Sequence, residues 1–143
     1  MKKHVLVLAL SLGLFSACGA TLVPYTPQPM AVAQPADKLE SLIVANPMTD
    51  ASNSPCISRV SKTPGVFVVE SVCGAGMKTN RVRFETVQSI ELRGGPSLYA
   101  VIVMHTGGDA FVWYTDSLKD AQRMADCVAA LSTKKPAAAP AAM

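Results

Sequence analysis

The chain has 143 residues, half of them hydrophobic, which is the length of one small domain with tails. Its formal net charge is +3, or +1 when the two charges of Lys2 and Lys3 are subtracted. A charge this small does not indicate the clustered basic face that nucleic-acid binding needs. Its two histidines and four cysteines show no metal-ligand spacing, and no cofactor motif is evident.

Residues 1–17 have the parts of a secretory signal peptide. Lys2 and Lys3 form a positive start, and Val5 to Phe15 form an apolar run of about eleven residues. A bilayer-spanning helix needs about twenty apolar residues, so this run is too short to be one. Ordinary signal peptidase prefers small side chains at positions −3 and −1, and a cut after Ala17 would place the bulky Phe15 at −3. We therefore expect an export signal of another type.

The segment that ends this signal, residues 14–18 (LFSAC), resembles the bacterial lipobox: apolar residues, two small residues, then a cysteine. This resemblance to bacterial lipoproteins covers about the first eighteen residues. It implies cleavage before Cys18 and acyl chains on that cysteine, which would anchor the protein stably to a membrane. Gly19 replaces the aspartate associated with inner-membrane retention, which implies the outer membrane, facing the periplasm. Inner-membrane retention, or secretion after a cut following Ala20, are the alternatives.

Residues 18–36 are expected to form a spacer after the lipidated cysteine. They contain no charged residue and four prolines, which remove backbone donors and fix φ. An extended spacer of this kind could hold a domain up to about 55 Å from the lipid, at roughly 3.1 Å per residue. A second low-complexity tail, rich in Lys, Pro and Ala, covers residues 134–143. Both are expected to be disordered, which leaves a folded domain over residues 37–133.

The domain is expected to begin with a short helix from Lys38 to Ala45. Asp37 can cap it, with Glu40 as the return partner of a capping box, and Pro47 ends it. One face of this helix is apolar, formed by Leu39, Leu42 and Ile43.

A β-hairpin is predicted over residues 56–73, around the turn dipeptide Pro64-Gly65. A two-residue loop places Cys56 opposite Cys73, Arg59 opposite Glu70, Val60 opposite Val69 and Ile57 opposite Val72.

The cysteines fall on a non-hydrogen-bonded position, where Cα atoms lie about 4.5 Å apart, within the range of a disulfide. Because an exported compartment is oxidising, we expect a Cys56–Cys73 bridge; Cys73–Cys127 and Cys56–Cys127 are the rival pairings. The favoured pairing leaves Cys127 free, as a packed inert thiol or as a reactive or intermolecular one.

Three further strands and a final helix follow. In the first strand, Arg81 to Leu92, the spacing of apolar residues changes from two to three, which suggests a bend or bulge. The second strand, Leu98 to His105, is a nearly continuous apolar run. The third strand, Ala110 to Thr115, follows a Gly-Gly turn. Asp116 or Ser117 caps a helix that runs to about Ser132, with Asp126 on its polar face. The apolar face of this helix comprises Leu118, Ala121, Met124, Ala125, Val128 and Leu131. The predicted class is α+β: an antiparallel meander of about five strands, a C-terminal amphipathic helix packed on one face, and a short N-terminal helix.

Residues 81–131 also resemble the closing half of bacterial PH-like and GRAM-like domains. The resemblance is carried by Val82, Phe84, Val87 and Ile90, followed by a single amphipathic helix. It implies a strongly curved sheet and no particular ligand.

Candidate functional residues are few. Tyr99, Phe111, Trp113 and Tyr114 form an aromatic cluster that is either core or an exposed surface for an envelope protein or peptidoglycan. Alternation places Phe111 and Trp113 on one face of their strand and Tyr114 on the other. His105, at a turn, is expected to be solvated. The favoured hypothesis is a membrane-anchored, non-enzymatic binding or assembly module. The alternatives are a small envelope enzyme, with Cys127 as nucleophile and His105 as base, or a domain that binds a lipid or other apolar ligand.

Overall fold

The computed structural model of the chain describes residues 21–49, 54–74 and 76–132. These residues form seven strands in two antiparallel sheets and two α-helices, so the fold class is α+β, as predicted. The predicted signal peptide, Cys18 and the C-terminal tail lie outside the described residues. In chain order the elements are β1 (Thr21–Val23), α1 (Pro35–Ala45), β2 (Ile57–Thr63), β3 (Val66–Cys73), β4 (Gly76–Arg83), β5 (Val87–Gly94), β6 (Tyr99–His105), β7 (Ala110–Thr115) and α2 (Leu118–Leu131).

The predicted hairpin is confirmed in its register. β2 pairs with β3 so that Ile57 faces Val72 and Arg59 faces Glu70. Gly65 takes a positive φ of 81° in the turn, a conformation that glycine adopts without steric cost. The predicted disulfide between Cys56 and Cys73 is present, with Cα atoms 4.5 Å apart. β4 then pairs with β3 to complete a three-stranded sheet in the order β2-β3-β4.

The prediction of one five-strand meander is not exact, because β1 and β4 were not foreseen as strands. The sequence predicts a single bent strand over Arg81 to Leu92, but a 3-10 turn at Phe84–Thr86 divides this stretch into the end of β4 and most of β5. The change in apolar spacing marks that turn. β5 belongs to a second sheet, of four strands, in the order β1-β5-β6-β7.

Helix α1 begins earlier than predicted. Pro35 occupies its first turn, where the missing N–H of proline costs nothing, and Gln34 precedes it in a left-handed conformation. Asp37 therefore lies inside the helix and does not cap it. Asp37 and Glu40 instead form ion pairs with Lys62 of β2, at 2.9 and 2.5 Å. The predicted apolar face is confirmed, since Leu39, Leu42 and Ile43 are buried.

Helix α2 begins as predicted, with Ser117 as its cap: the Ser117 hydroxyl accepts a hydrogen bond from the Asp120 N–H at 3.2 Å. The helix packs on β5, β6 and β7 and against α1. Asp126, expected on the polar face, is instead buried at 8% exposure. The cause is the N-terminal segment, which covers this side of the helix.

Residues 21–36 do not form the extended spacer that their prolines suggest. β1 pairs with the edge of β5, with Thr21 opposite Gly94. Farther along, the Tyr25 hydroxyl and the Gln28 N–H both donate to the Asp126 carboxylate at 2.6 Å. Tyr25 and Gln28, which lie between the prolines, supply the hydrogen-bond donors that hold the segment on the domain.

One core joins both sheets and both helices. It includes Phe67 and Val82 from the three-stranded sheet, Val103 from the four-stranded sheet, Ile43 from α1 and Met124 from α2. Among the described residues, no helix is long and apolar enough to cross a bilayer.

Candidate functional site

The aromatic residues predicted as a contact surface belong to the core. Trp113 is fully buried and Phe111 is 2% exposed; their rings stack with centroids 6.0 Å apart. Both occupy the inward positions of β7, on the sheet face covered by α2. The Trp113 indole N–H donates to the carbonyl of Asn46 at 2.9 Å, which satisfies the polar atom of this buried ring. Tyr99 is half-buried against the core. These three residues are therefore not a free surface.

An apolar surface does exist on the opposite face of the same sheet. Alternation along β6 and β7 points a second set of side chains outward, and the strand register makes them neighbours: Ala100 lies opposite Tyr114, and Ile102 lies opposite Val112. They do not belong to the core cluster. Tyr114 is exposed and the others are half-buried. We call this surface the outer sheet face; it comprises Ala100, Ile102, Met104, Val112 and Tyr114.

Charged residues border the outer sheet face on β5. Arg93 and Glu91 form an ion pair at 3.4 Å. Arg93 is opposite Ala100 in the register, and Glu91 is opposite Ile102. The outer sheet face thus has an apolar middle and a charged border, which is the usual layout of a protein–protein contact surface.

His105 is buried, contrary to the prediction of a solvated turn residue, with 5% exposure. The Arg83 N–H donates to its Nε2 at 3.2 Å, and its Nδ1 lies 3.2 Å from the carbonyl oxygen of Asp109. Since Nε2 accepts, Nδ1 carries the proton and donates to that carbonyl, which defines a neutral ring. His105 therefore holds the β6–β7 turn to the end of β4, and it lines an open polar groove of about 460 Å³.

Among the described cysteines, Cys127 is the free thiol, as the favoured pairing predicts, and it is fully buried. Burial, and secondarily the charge of Asp126, raises the pKa of the thiol to about 11. A nucleophilic cysteine needs a lowered pKa, because the thiolate is the reactive form. Among the hydrogen bonds of the described residues, none joins Cys127 to His105, whose ring is bonded to the backbone of Arg83 and Asp109. The structure does not assemble this nucleophile–base pair.

A second groove, of about 520 Å³, lies at the other end of the strands. Lys78 of β4 lines it together with Leu98 and Tyr114, and residues 45–49 form another wall. Asn46 at this wall makes side-chain hydrogen bonds to Thr115, Leu42 and Asp120. Asn46 was not foreseen as an organising residue because a lone asparagine after a helix has no distinguishing pattern.

No cluster of three or more His, Cys, Asp or Glu side chains in the described part of the chain could hold a metal ion. Comparison of the chain with protein-family models, with curated proteins and with solved structures gives no match.

Proposed function

We propose that this protein is a lipid-anchored envelope protein that acts as a non-enzymatic binding or assembly module. Acyl chains on Cys18 attach it to the outer membrane, on the periplasmic side, and the folded domain contacts another envelope protein. The lipobox-like segment supports the anchor. The Cys56–Cys73 disulfide supports export, because such bonds persist in oxidising compartments.

The observation that carries the binding role is the outer sheet face. Ile102 on the inner strand β6 lies beside Val112 on the edge strand β7, with Met104 next to Ile102 along β6, and none of the three belongs to the core cluster. Apolar side chains that neighbour one another on a solvent-facing sheet mark an interaction surface. Their aliphatic character favours a protein partner over peptidoglycan, whose sugars offer little apolar area.

The anchor is tested by metabolic labelling with a radiolabelled fatty acid. The wild-type chain is expected to incorporate the label and to fractionate with the outer membrane, whereas Cys18→Ser is expected to do neither. Mass spectrometry of the processed N-terminus provides the second measurement. An unmodified N-terminus in the wild-type protein would refute the anchor.

The binding surface is tested by photo-crosslinking in cells, with benzoylphenylalanine in place of Val112. The matched control carries the same group in place of Val68, which is also a half-buried valine on the outward side of a strand, but in the three-stranded sheet. We expect a discrete adduct with one protein from position 112 and none from position 68. Equal adducts from both positions, or none from position 112, would contradict the assignment.

A further inference from the structure

We infer that one end of the domain lies directly on the bilayer surface, an inference that rests on the proposed anchoring through Cys18. We call it the apolar end. Its exposed large side chains are Leu22, Ile57, Val72, Met77, Leu98 and Tyr114.

Strand register brings these residues to the same end of both sheets. In the three-stranded sheet, Ile57 opposes Val72 and Val72 opposes Met77, where β2 starts, β3 ends and β4 starts. In the four-stranded sheet, β5 ends and β6 starts around the turn that contains Leu98, and β7 ends after Tyr114. The two ends coincide, because Lys78 of β4 lines one groove with Leu98 and Tyr114.

Exposure sets this end apart from the rest of the molecule. Among the described residues, eight large hydrophobic side chains are exposed, and six of them are those of the apolar end, from 36% for Val72 to 67% for Ile57. The opposite end, by contrast, has the turns after β2 and β6 and the 3-10 turn after β4, and its exposed residues include Thr63, Arg83, Glu85, Thr106 and Asp109. One end of the domain therefore has solvated polar turns and the other has exposed apolar side chains. This difference indicates that the two ends face different surroundings.

The length of chain before β1 identifies what covers the apolar end. Thr21 is paired with Gly94, the last residue of β5, and its hydroxyl donates to the Gly94 carbonyl at 3.1 Å. Only Gly19 and Ala20 separate Thr21 from Cys18. Three residue steps span at most about 11 Å, so a lipid on Cys18 holds this end at the headgroups, not tens of ångströms away.

The chemistry of the apolar end suits the interface of a bilayer. Tyr114 has an apolar ring and a polar hydroxyl, the combination that is enriched at the level of the headgroups. Leu22 and Leu98 can reach the acyl boundary. Lys78, which lines a groove with Leu98 and Tyr114, is placed to meet lipid phosphate with its long side chain.

Spin labels at the two ends of β6 test the inference. The full lipidated chain, reconstituted in vesicles of phosphatidylethanolamine and phosphatidylglycerol, carries a nitroxide either at Leu98→Cys or at the matched exposed turn position Thr106→Cys. Collisions with oxygen report lipid, and collisions with a water-soluble nickel chelate report water. We expect oxygen to dominate at position 98 and the nickel chelate to dominate at position 106. Dominance of the chelate at both positions would overturn the inference.

Flotation of the vesicles and the mass of the N-terminal peptide separate the two proposals. If Cys18 is acylated and the protein floats, but the label at position 98 reports water, the orientation is wrong and the anchor stands. If Cys18 is unmodified and the protein does not float, both fail. A nitroxide at position 98 that reports water on vesicles, together with benzoylphenylalanine at the same position that crosslinks to a protein in cells, would assign the apolar end to a protein partner and overturn the inference.

Discussion

Asn46 shows how much a single side chain can organise in this domain. Its amide oxygen accepts a hydrogen bond from the Thr115 hydroxyl at 2.6 Å, and its amide nitrogen donates to the Leu42 carbonyl at 2.8 Å and to Asp120 at 3.2 Å. Its backbone carbonyl accepts from the Trp113 indole. The amide of asparagine offers two N–H donors and a carbonyl acceptor together, so one residue joins the end of α1 to β7 and α2.

Replacing Asn46 with alanine is expected to lower the free energy of unfolding by about 1–3 kcal/mol, because the buried Thr115 hydroxyl loses its acceptor. Urea denaturation measures the effect. Asn80→Ala is the control: Asn80 is also half-buried, but it lines the open polar groove, and its replacement is expected to change stability by no more than about 0.5 kcal/mol. Equal losses in both variants would refute the role given to Asn46.

At the scale of elements, the helices and strands that were predicted correctly are those that a local sequence pattern specifies. The hairpin has a turn dipeptide and matched alternation on both sides, and α2 has a serine cap and an apolar stripe. β4 was missed because most of its residues are exposed and polar, so they show no alternation. β1 was missed because three residues among prolines become a strand only by pairing with β5.

Reduction of the Cys56–Cys73 disulfide is expected to lower the free energy of unfolding by about 3 kcal/mol, because the bridge restrains the unfolded chain over a separation of 17 residues. Guanidinium denaturation with and without reductant measures the difference. The double variant Cys56→Ala/Cys73→Ala should lose that difference, and Cys127→Ala should keep it. A wild-type midpoint that does not respond to reductant would contradict the prediction.

At the scale of the whole molecule, the N-terminal segment sets the distance between the domain and the anchor proposed at Cys18. Asp126 accepts hydrogen bonds from Tyr25 and Gln28 while β1 extends the four-stranded sheet. Partial burial, and secondarily the hydrogen bond to this carboxylate, raises the pKa of the Tyr25 phenol, which keeps the donor protonated. The proposed membrane-facing orientation of the domain therefore rests on contacts between the two ends of the described chain.

Asp126→Ala is expected to destabilise the protein by about 1–3 kcal/mol and to increase hydrogen exchange over residues 25–32, while β6 keeps its protection. The Gln28 N–H and the Tyr25 hydroxyl lose a shared acceptor. Mass-spectrometric hydrogen exchange checks this, with the exposed carboxylate variant Asp116→Ala as the control. Uniform loss of protection across the domain, or no change over residues 25–32, would show that this contact does not hold the segment.

The sequence by itself determined the α+β class, the hairpin register with its disulfide and the C-terminal helix, because each depends on neighbours within about twenty residues. Alternation along β7 separated Phe111 and Trp113 from Tyr114, but alternation is symmetric and does not say which face is covered. Only the tertiary structure decided that α2 covers the Trp113 face and that the outer sheet face stays outside the core of the described residues. The Tyr25–Asp126 contact was also decided by the tertiary structure alone. It joins residues 101 positions apart, and no local sequence pattern predicts it.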